Sequence, residues 1–162
     1  MTATAVPAAD FVRRALRRHA AGVTVVTVPG PAGFTATSFT SVSLRPALVT
    51  FFVAEESSAA AAVVRADVFG VHLLAAGEAG LARRFAARGI DRFAGLATTA
   101  GPGGVPLLDG VDRLVARTVS VHPVGDHLQV LGEVVSAAGH RPRGPLVYHD
   151  GGYATTTALP AS

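Results

Sequence analysis

Cysteine is absent from the 162 residues of this chain. Its absence excludes disulfide bonds, thiolate metal sites, cysteine nucleophiles and redox-active thiols in a single step. Any oxidation or reduction that the protein carries out must therefore depend on a bound cofactor.

Lysine is also absent, so arginine supplies all 14 basic residues. The high isoelectric point of about 10.5 follows from the high pKa of arginine, since the net charge is only +3. The arginines are dispersed in pairs, without the interleaved aromatic residues typical of a nucleic-acid surface. The composition therefore disfavours nucleic acid as a partner. Examples of the pairs are Arg13-Arg14, Arg17-Arg18 and Arg83-Arg84.

Long apolar runs are missing as well. The first residues lack a continuous apolar segment preceded by basic residues, which disfavours a signal peptide. No segment approaches the roughly 18 to 20 apolar residues of a membrane span. We therefore expect a cytoplasmic protein without a membrane partner.

The apolar content is 49%, which is ample for one hydrophobic core in a chain of this length. We predict one domain over residues 10–160, preceded by a flexible tail at residues 1–9. No internal repeat is visible.

Periodicity and turn residues predict a mainly β chain with a few short helices. Asp10 is placed to cap a first helix that ends at Gly22, because the apolar residues between them recur at helical spacing. The β-branched runs and their short connections favour antiparallel pairing, and thus a barrel with helices packed outside it. Further helices are expected within residues 59–66 and 77–89, strands at 23–28, 34–40, 48–53 and 68–74, a hairpin over 112–137 that turns at 123–126, a loop at 90–110, and a last strand and turn within 145–156.

Several familiar site patterns do not fit the sequence. The glycines of residues 101–106 do not open a helix after a strand, so they do not form a dinucleotide-binding or P-loop motif. No G-x-S-x-G elbow is present for hydrolase chemistry. His122, Asp126 and His127 have the chemistry of metal ligands, but they flank a Gly-Asp turn. We expect no metal site.

Three features together describe a site of the size of a flavin. The hydroxyl groups of residues 33–43, above all those of Thr37 and Ser38, lie between apolar runs, where they suit the polar edge of a flat heterocycle. Ser57 and Ser58 precede a predicted helix, a position that suits a phosphate. His149 lies beside two glycines that allow a ring to approach closely. Taken singly, these are also ordinary sheet hydroxyls, a helix cap and a hairpin turn.

The order and spacing of seven segments resemble the flavin reductase-like family, the NAD(P)H:flavin oxidoreductases of two-component monooxygenases. The resemblance implies an antiparallel split β-barrel, a homodimer, FMN or FAD near the subunit interface, and hydride from NADH or NADPH. It also implies delivery of the reduced flavin to a separate oxygenase. The segments are GVTVVT (22–27), GFTATSFTSVSLRP (33–46), VFGVHLLA (68–75), LARRFA (81–86), DRFAG (91–95), GDH (125–127) and PLVYHDGGY (145–153).

The resemblance also implies roles for individual residues. Ala36, Thr37 and Ser38 match the segment that contacts the isoalloxazine ring. His149 is expected to position the nicotinamide and balance charge there, and is the one residue with a predicted catalytic role. The remaining predicted cofactor-binding residues are Val53, Ser57 and Ser58 near the phosphate, Phe85 beside the flavin, Tyr153 beside the nicotinamide, and His72.

Two positions depart from the family pattern. His72 stands where asparagine is usual, and the predicted phosphate loop carries Glu55 and Glu56, with Ala59 where threonine is frequent. Carboxylates beside a phosphate repel it unless they point away. Two alternatives therefore stay open beside a reductase that releases its flavin: an enzyme that retains flavin and acts on an organic substrate, and a flavin-binding protein without turnover.

Overall fold

The computed structural model describes residues 8–139 and 142–160. The first helix starts at Ala8, two residues before the predicted cap Asp10, and ends at Leu16 rather than near Gly22. Residues 1–7 of the predicted tail lie outside the described residues. Within the described part of the chain, no helix has the length and apolar character needed to cross a membrane. The helices are α1 (Ala8–Leu16), α2 (Ala60–Arg65) and α3 (Ala79–Ala86), with short 3-10 helices at Ala76–Glu78 and Pro102–Gly104.

Antiparallel strands form the body of the fold. Seven of them build one sheet in the order β3-β2-β6-β9-β10-β5-β4, a three-stranded sheet has the order β1-β11-β12, and β7 pairs with β8. The predicted mainly β architecture with flanking helices is confirmed. The strands are β1 (Ala21–Gly22), β2 (Thr24–Val28), β3 (Ala32–Ala36), β4 (Thr40–Leu44), β5 (Ala47–Ala54), β6 (Val68–Leu73), β7 (Thr98–Ala100), β8 (Pro106–Leu108), β9 (Asp112–Val124), β10 (His127–Ala138), β11 (Val147–His149) and β12 (Gly152–Ala154).

The seven-stranded sheet is strongly curled. Five strand intervals separate β3 from β5 in the sheet, which would be roughly 24 Å if the sheet were flat. The ring of Phe34 on β3 nevertheless lies 5.8 Å from that of Phe51 on β5. Phe51 in turn meets Phe69 of β6 edge to face at 5.1 Å. The sheet therefore folds back on itself around an aromatic core.

Strand β2 is buried on both faces, because its alternating side chains enter two different clusters. Val26 packs in the core inside the curled sheet. Val25 points the other way, into a second cluster that includes Phe85 of α3 and Leu146. This second cluster fixes α3 against the outside of the sheet, beside the end of β3.

The predicted strand over residues 34–40 is wrong in one respect that matters for the site. Strand β3 ends at Ala36, and a new strand, β4, starts at Thr40 and pairs with β5 instead of β2. Residues 37–39 therefore form a short connection between two edges of the sheet. The predicted loop over 90–110 is likewise too simple, because it contains the β7–β8 hairpin.

The other predicted strands are confirmed, with small shifts in their ends. The long hairpin of β9 and β10 turns at Gly125 and Asp126, and Gly125 adopts the positive φ of 62° that such a turn requires. The hairpin of β11 and β12 turns at Asp150 and Gly151, which both have positive φ. The guanidinium of Arg17 binds Asp150 and so ties this hairpin to the end of the first helix region.

Candidate functional site

A pocket of about 820 Å³ opens where β3 ends beside α3 and the loop after β5. It gathers seven of the predicted cofactor-binding residues from three separate stretches of the chain. The stretches are brought together because β3 and β5 face each other across the curled sheet, while α3 covers the end of β3. The seven are Ala36, Thr37, Ser38, Val53, Ser57, Ser58 and Phe85.

Apolar side chains form one side of this pocket. Phe34 and Ala36 of β3, Phe52 and Val53 of β5, and Phe85 of α3 all line it. Phe85 is fully buried, and its ring stands perpendicular to a second aromatic ring at 5.1 Å. This wall has the character that a flat, apolar ring system needs.

The hydroxyl-rich connection after β3 is held by Ser38. Its Oγ donates to the carbonyl oxygen of Phe52 at 3.1 Å and accepts from the Phe52 amide at 3.0 Å. The neighbouring Thr35 donates to the carbonyl oxygen of Ala82 in α3 at 2.6 Å. The hydroxyl groups of Ser38 and Thr35 therefore hold the pocket wall against β5 and α3, respectively. The side chain of Thr37 is exposed in the pocket.

The serines that follow β5 do not cap helix α2 as predicted. The N-cap residue is Ala59, which makes no capping hydrogen bond with its side chain. Ser57 closes a turn instead: its amide donates to the carbonyl oxygen of Ala54 at 2.9 Å, and its Oγ accepts from the Ala59 amide at 3.3 Å. The loop remains in the pocket wall, so an anion there would be held by the loop and its neighbours rather than by a helix terminus.

Arg92 is a pocket residue that the sequence analysis did not predict. Its Nη1 donates to the carbonyl oxygen of Gly33 at 2.8 Å and to Ser58 Oγ at 3.3 Å. Its Nε and Nη2 donate to the carbonyl oxygen of Ala87 at 2.9 and 2.7 Å. All three acceptors are neutral, so the guanidinium brings a positive charge to the serine loop. Its place within DRFAG was the signal that could have identified it.

Two other basic side chains line the pocket, and each has a carboxylate beside it. Arg88 Nη2 lies 3.4 Å from Glu56 Oε1. His127 Nδ1 lies 2.6 Å from Asp126 Oδ1, a hydrogen bond that lowers the pKa of the fully exposed Asp126 carboxyl. Arg88, Glu56 and His127 were not among the predicted site residues, because residues remote in sequence meet here.

His72 does not line the pocket. It is fully buried on β6, where the Leu108 amide donates to its Nε2 at 2.9 Å. The Nδ1 must then carry the proton, which it donates to the carbonyl oxygen of Val25 at 3.1 Å. Burial lowers the pKa of His72 from 6.5 to about 4, the bond to Val25 raises it, and the charge of Arg113 lowers it further. His72 is a neutral clamp between β2 and β8.

His149 and Tyr153 lie apart from this pocket, on the β11–β12 hairpin. His149 is exposed. The ring of Tyr153 packs at 5.6 Å from that of Tyr148 and carries the guanidinium of Arg83 above it at 5.2 Å. Partial burial raises the pKa of the Tyr153 phenol. Tyr148 and Tyr153 are opposite each other in the hairpin and share one face of it, next to Arg83 of α3, whereas His149 follows Tyr148 and points to the other face.

The pocket has the donor set that a flavin nucleotide needs. An isoalloxazine ring requires an apolar wall with polar groups at its edge, which Phe52, Val53 and Thr37 offer. A phosphate requires hydroxyl groups and a positive charge, which Ser58 and Arg92 offer at 3.3 Å from one another. The residues present therefore fit a flavin with its phosphate toward the serine loop.

Known proteins are similar to this chain in sequence and in fold. The flavin reductase like domain matches residues 16–157. An NADH:FMN oxidoreductase from Rhodococcus qingshengii is 44% identical, over 96% of this chain and 85% of that protein. The reductase subunit HsaB of a flavin-dependent monooxygenase from Rhodococcus jostii is 36% identical, over 87% of this chain and 74% of that protein.

A solved structure agrees with both. The NADH:FAD oxidoreductase of Streptomyces globisporus, in complex with NAD and FAD fragments, superposes with a TM-score of 0.87 at 35% identity, over 99% of this chain and all of that chain. The first of these relatives is named for NADH and FMN and the solved structure for NADH and FAD, which agrees with the predicted FMN or FAD and, of the predicted NADH or NADPH, with NADH. The predicted resemblance is confirmed: this chain belongs to the flavin reductase like family.

Proposed function

We propose that this protein is an NADH:flavin oxidoreductase that reduces FMN or FAD and supplies the reduced flavin to a separate oxygenase. The observation that carries the proposal is the pocket, in which seven predicted flavin residues from three stretches of the chain meet around an apolar wall and Arg92. The family membership and the activity named for the relatives support the same chemistry. One relative is the reductase subunit of a flavin-dependent monooxygenase, which supports a separate oxygenase as the partner.

The chain's own residues bind and orient in this reaction. A bound flavin supplies the acceptor for the hydride, so the protein needs no nucleophile of its own. Phe52 and Val53 would shield the ring from water, and Thr37 would meet its polar edge. Arg92 and Ser58 would hold the phosphate and so orient the flavin in the pocket. Positioning of this kind is the main contribution a protein makes to hydride transfer.

We further propose that His149 and Tyr153 position the nicotinamide. Support comes from the hairpin that carries both residues, since its tight turn leaves His149 exposed and places Tyr153 four residues further along the chain. His149→Ala is expected to slow hydride transfer while leaving flavin affinity unchanged, because His149 does not line the pocket. Stopped-flow reduction of bound flavin separates these two effects. An unchanged rate of reduction would remove His149 from this role.

A cytoplasmic homodimer with a split-barrel subunit is part of the same proposal. The curling of the seven-stranded sheet supports the barrel. Exposed apolar side chains on β4, β9 and β10 support the dimer, since such a surface on a single chain favours association. The group includes Val42, Leu44, Val119 and Val135, of which Leu44 is 86% exposed.

The experiment that tests the proposal is NADH oxidation by the purified protein with no added flavin, with FMN or with FAD, in parallel with NADPH. Turnover that saturates as flavin is raised is expected with NADH. Flavin that stays bound without turnover would contradict the proposal in favour of a retained flavin or a non-catalytic binding protein.

A further inference from the structure

The two carboxylates that follow β5 occupy different places. Glu56 lines the pocket, and its Oε1 lies 3.4 Å from Arg88 Nη2, which also lines the pocket. The side chain of Glu55 is exposed outside the pocket wall, and its amide donates to the carbonyl oxygen of Asp126 at 3.1 Å. Of the two acidic residues, only Glu56 therefore faces the space that a flavin phosphate would enter.

The contact between Glu56 and Arg88 is open to exchange. Their side chains are 78% and 81% exposed, so water and salt screen the pair, and such pairs contribute little to stability. Arg92, in contrast, is partly buried and held by four hydrogen bonds to neutral acceptors. Of the two arginines that line the pocket, Arg92 is fixed in place and Arg88 is paired with the carboxylate of Glu56.

We propose that Glu56 sets the affinity for flavin by competing with the flavin phosphate for Arg88. With the pocket empty, the carboxylate occupies Arg88. A phosphate that enters must separate this pair or lie beside its negative charge, and both cost binding free energy. The inference rests on the proposed function and deepens it, because weakened binding keeps the flavin exchangeable, as delivery to a separate oxygenase requires.

Charge rather than shape carries this effect, so it is specific to phosphate-bearing flavins. Glu56→Gln preserves the size of the side chain and removes its charge. FMN is then expected to bind roughly threefold to fivefold more tightly, the upper size of an exposed electrostatic interaction. Riboflavin, which has the same ring and no phosphate, is expected to bind with unchanged affinity. The FMN effect is expected to shrink as salt is raised.

The test is a titration of FMN and of riboflavin against the wild type, Glu56→Gln and the matched control Glu55→Gln, followed by quenching of flavin fluorescence. Glu55→Gln makes the same change in net charge one residue away and outside the pocket, so it is expected to leave the Kd for FMN within about twofold of wild type. Adding Arg88→Gln to Glu56→Gln is expected to remove most of the gain, because the two residues act as a pair.

Each contrary outcome has a distinct meaning. An equal increase in FMN affinity in Glu56→Gln and Glu55→Gln would show that the effect comes from net charge alone, and would overturn the role of Glu56. Equal tightening of FMN and riboflavin would overturn competition with phosphate. An unchanged Kd for FMN in Glu56→Gln would also overturn it, while leaving the reductase proposal intact. Failure of wild-type protein to bind either flavin would overturn the proposed function, and this inference with it.

Discussion

Replacement of His72 by asparagine tests whether its imidazole is a buried neutral clamp. In the folded protein the Leu108 amide donates to Nε2, so adding a proton to that nitrogen breaks the hydrogen bond. Burial, opposed by the bond to Val25 and assisted by Arg113, lowers the pKa of His72 from 6.5 to about 4. The unfolded chain therefore binds this proton more readily than the folded one between those two values.

The sign and size of the effect follow from this difference. The stability that neutral His72 contributes is fully present above pH 6.5 and is lost as the pH falls toward 4. The difference is about 3 kcal/mol when fully titrated, and about 2 kcal/mol of it is already lost at about pH 5. Asparagine does not titrate, so His72→Asn lacks this part of the pH dependence.

Urea unfolding of both proteins at about pH 7.5 and about pH 5 measures it. The wild type is expected to lose about 2 kcal/mol more free energy of unfolding between the two values than His72→Asn does. A loss of stability that the substitution causes equally at both pH values cancels in this comparison. His72→Gln, which also does not titrate, is expected to match the asparagine variant. An equal loss in the wild type and both variants would refute the clamp.

Three further substitutions test the site, the core and the assembly. Ser38→Ala removes the hydroxyl group that holds the Phe52 backbone. We expect the free energy of unfolding in urea to fall by about 1 to 2 kcal/mol and FMN to bind more weakly. No change in either quantity would contradict this role of Ser38. Gly132→Ala places a methyl group 2.6 Å from Cε1 of Phe69. Thermal unfolding is expected to show a decrease of about 1 to 3 kcal/mol in the free energy of unfolding. An unchanged Tm would refute the close packing at Gly132. Leu44→Asp is expected to convert a dimer to a monomer in sedimentation experiments, and a dimer that persists would place the interface elsewhere.

Local pattern was enough to predict most of the strands. The β-branched run of β2, the alternation in β9 and β10, and the Gly-Asp turn between them all express preferences of a few neighbouring residues. These local preferences did not predict the connection at residues 37–39, which separates β3 from β4. It depends on Ser38 binding the backbone of Phe52, a contact between residues distant in sequence that no local preference encodes.

The residues of the candidate site were likewise predicted only in part. The motifs identified seven pocket residues, including Ala36 and Phe85, because those positions match a family pattern. The motifs did not indicate that Ser57 closes a turn rather than capping a helix, or that His72 lies in the core. They also missed Arg92, which binds Gly33 and Ser58 from two distant segments as well as the nearby Ala87. The DRFAG segment could have drawn attention to Arg92, but its contacts with Gly33 and Ser58 depend on the folded arrangement of distant segments.

The most direct test of the central claim is a crystal structure of the protein soaked with FMN. We expect the isoalloxazine ring against Phe52 and Val53, with Thr37 at its edge and the phosphate beside Ser58 and Arg92. A flavin bound outside this pocket, for instance in the separate cavity between Leu73 and Pro142, would contradict the assignment of the site.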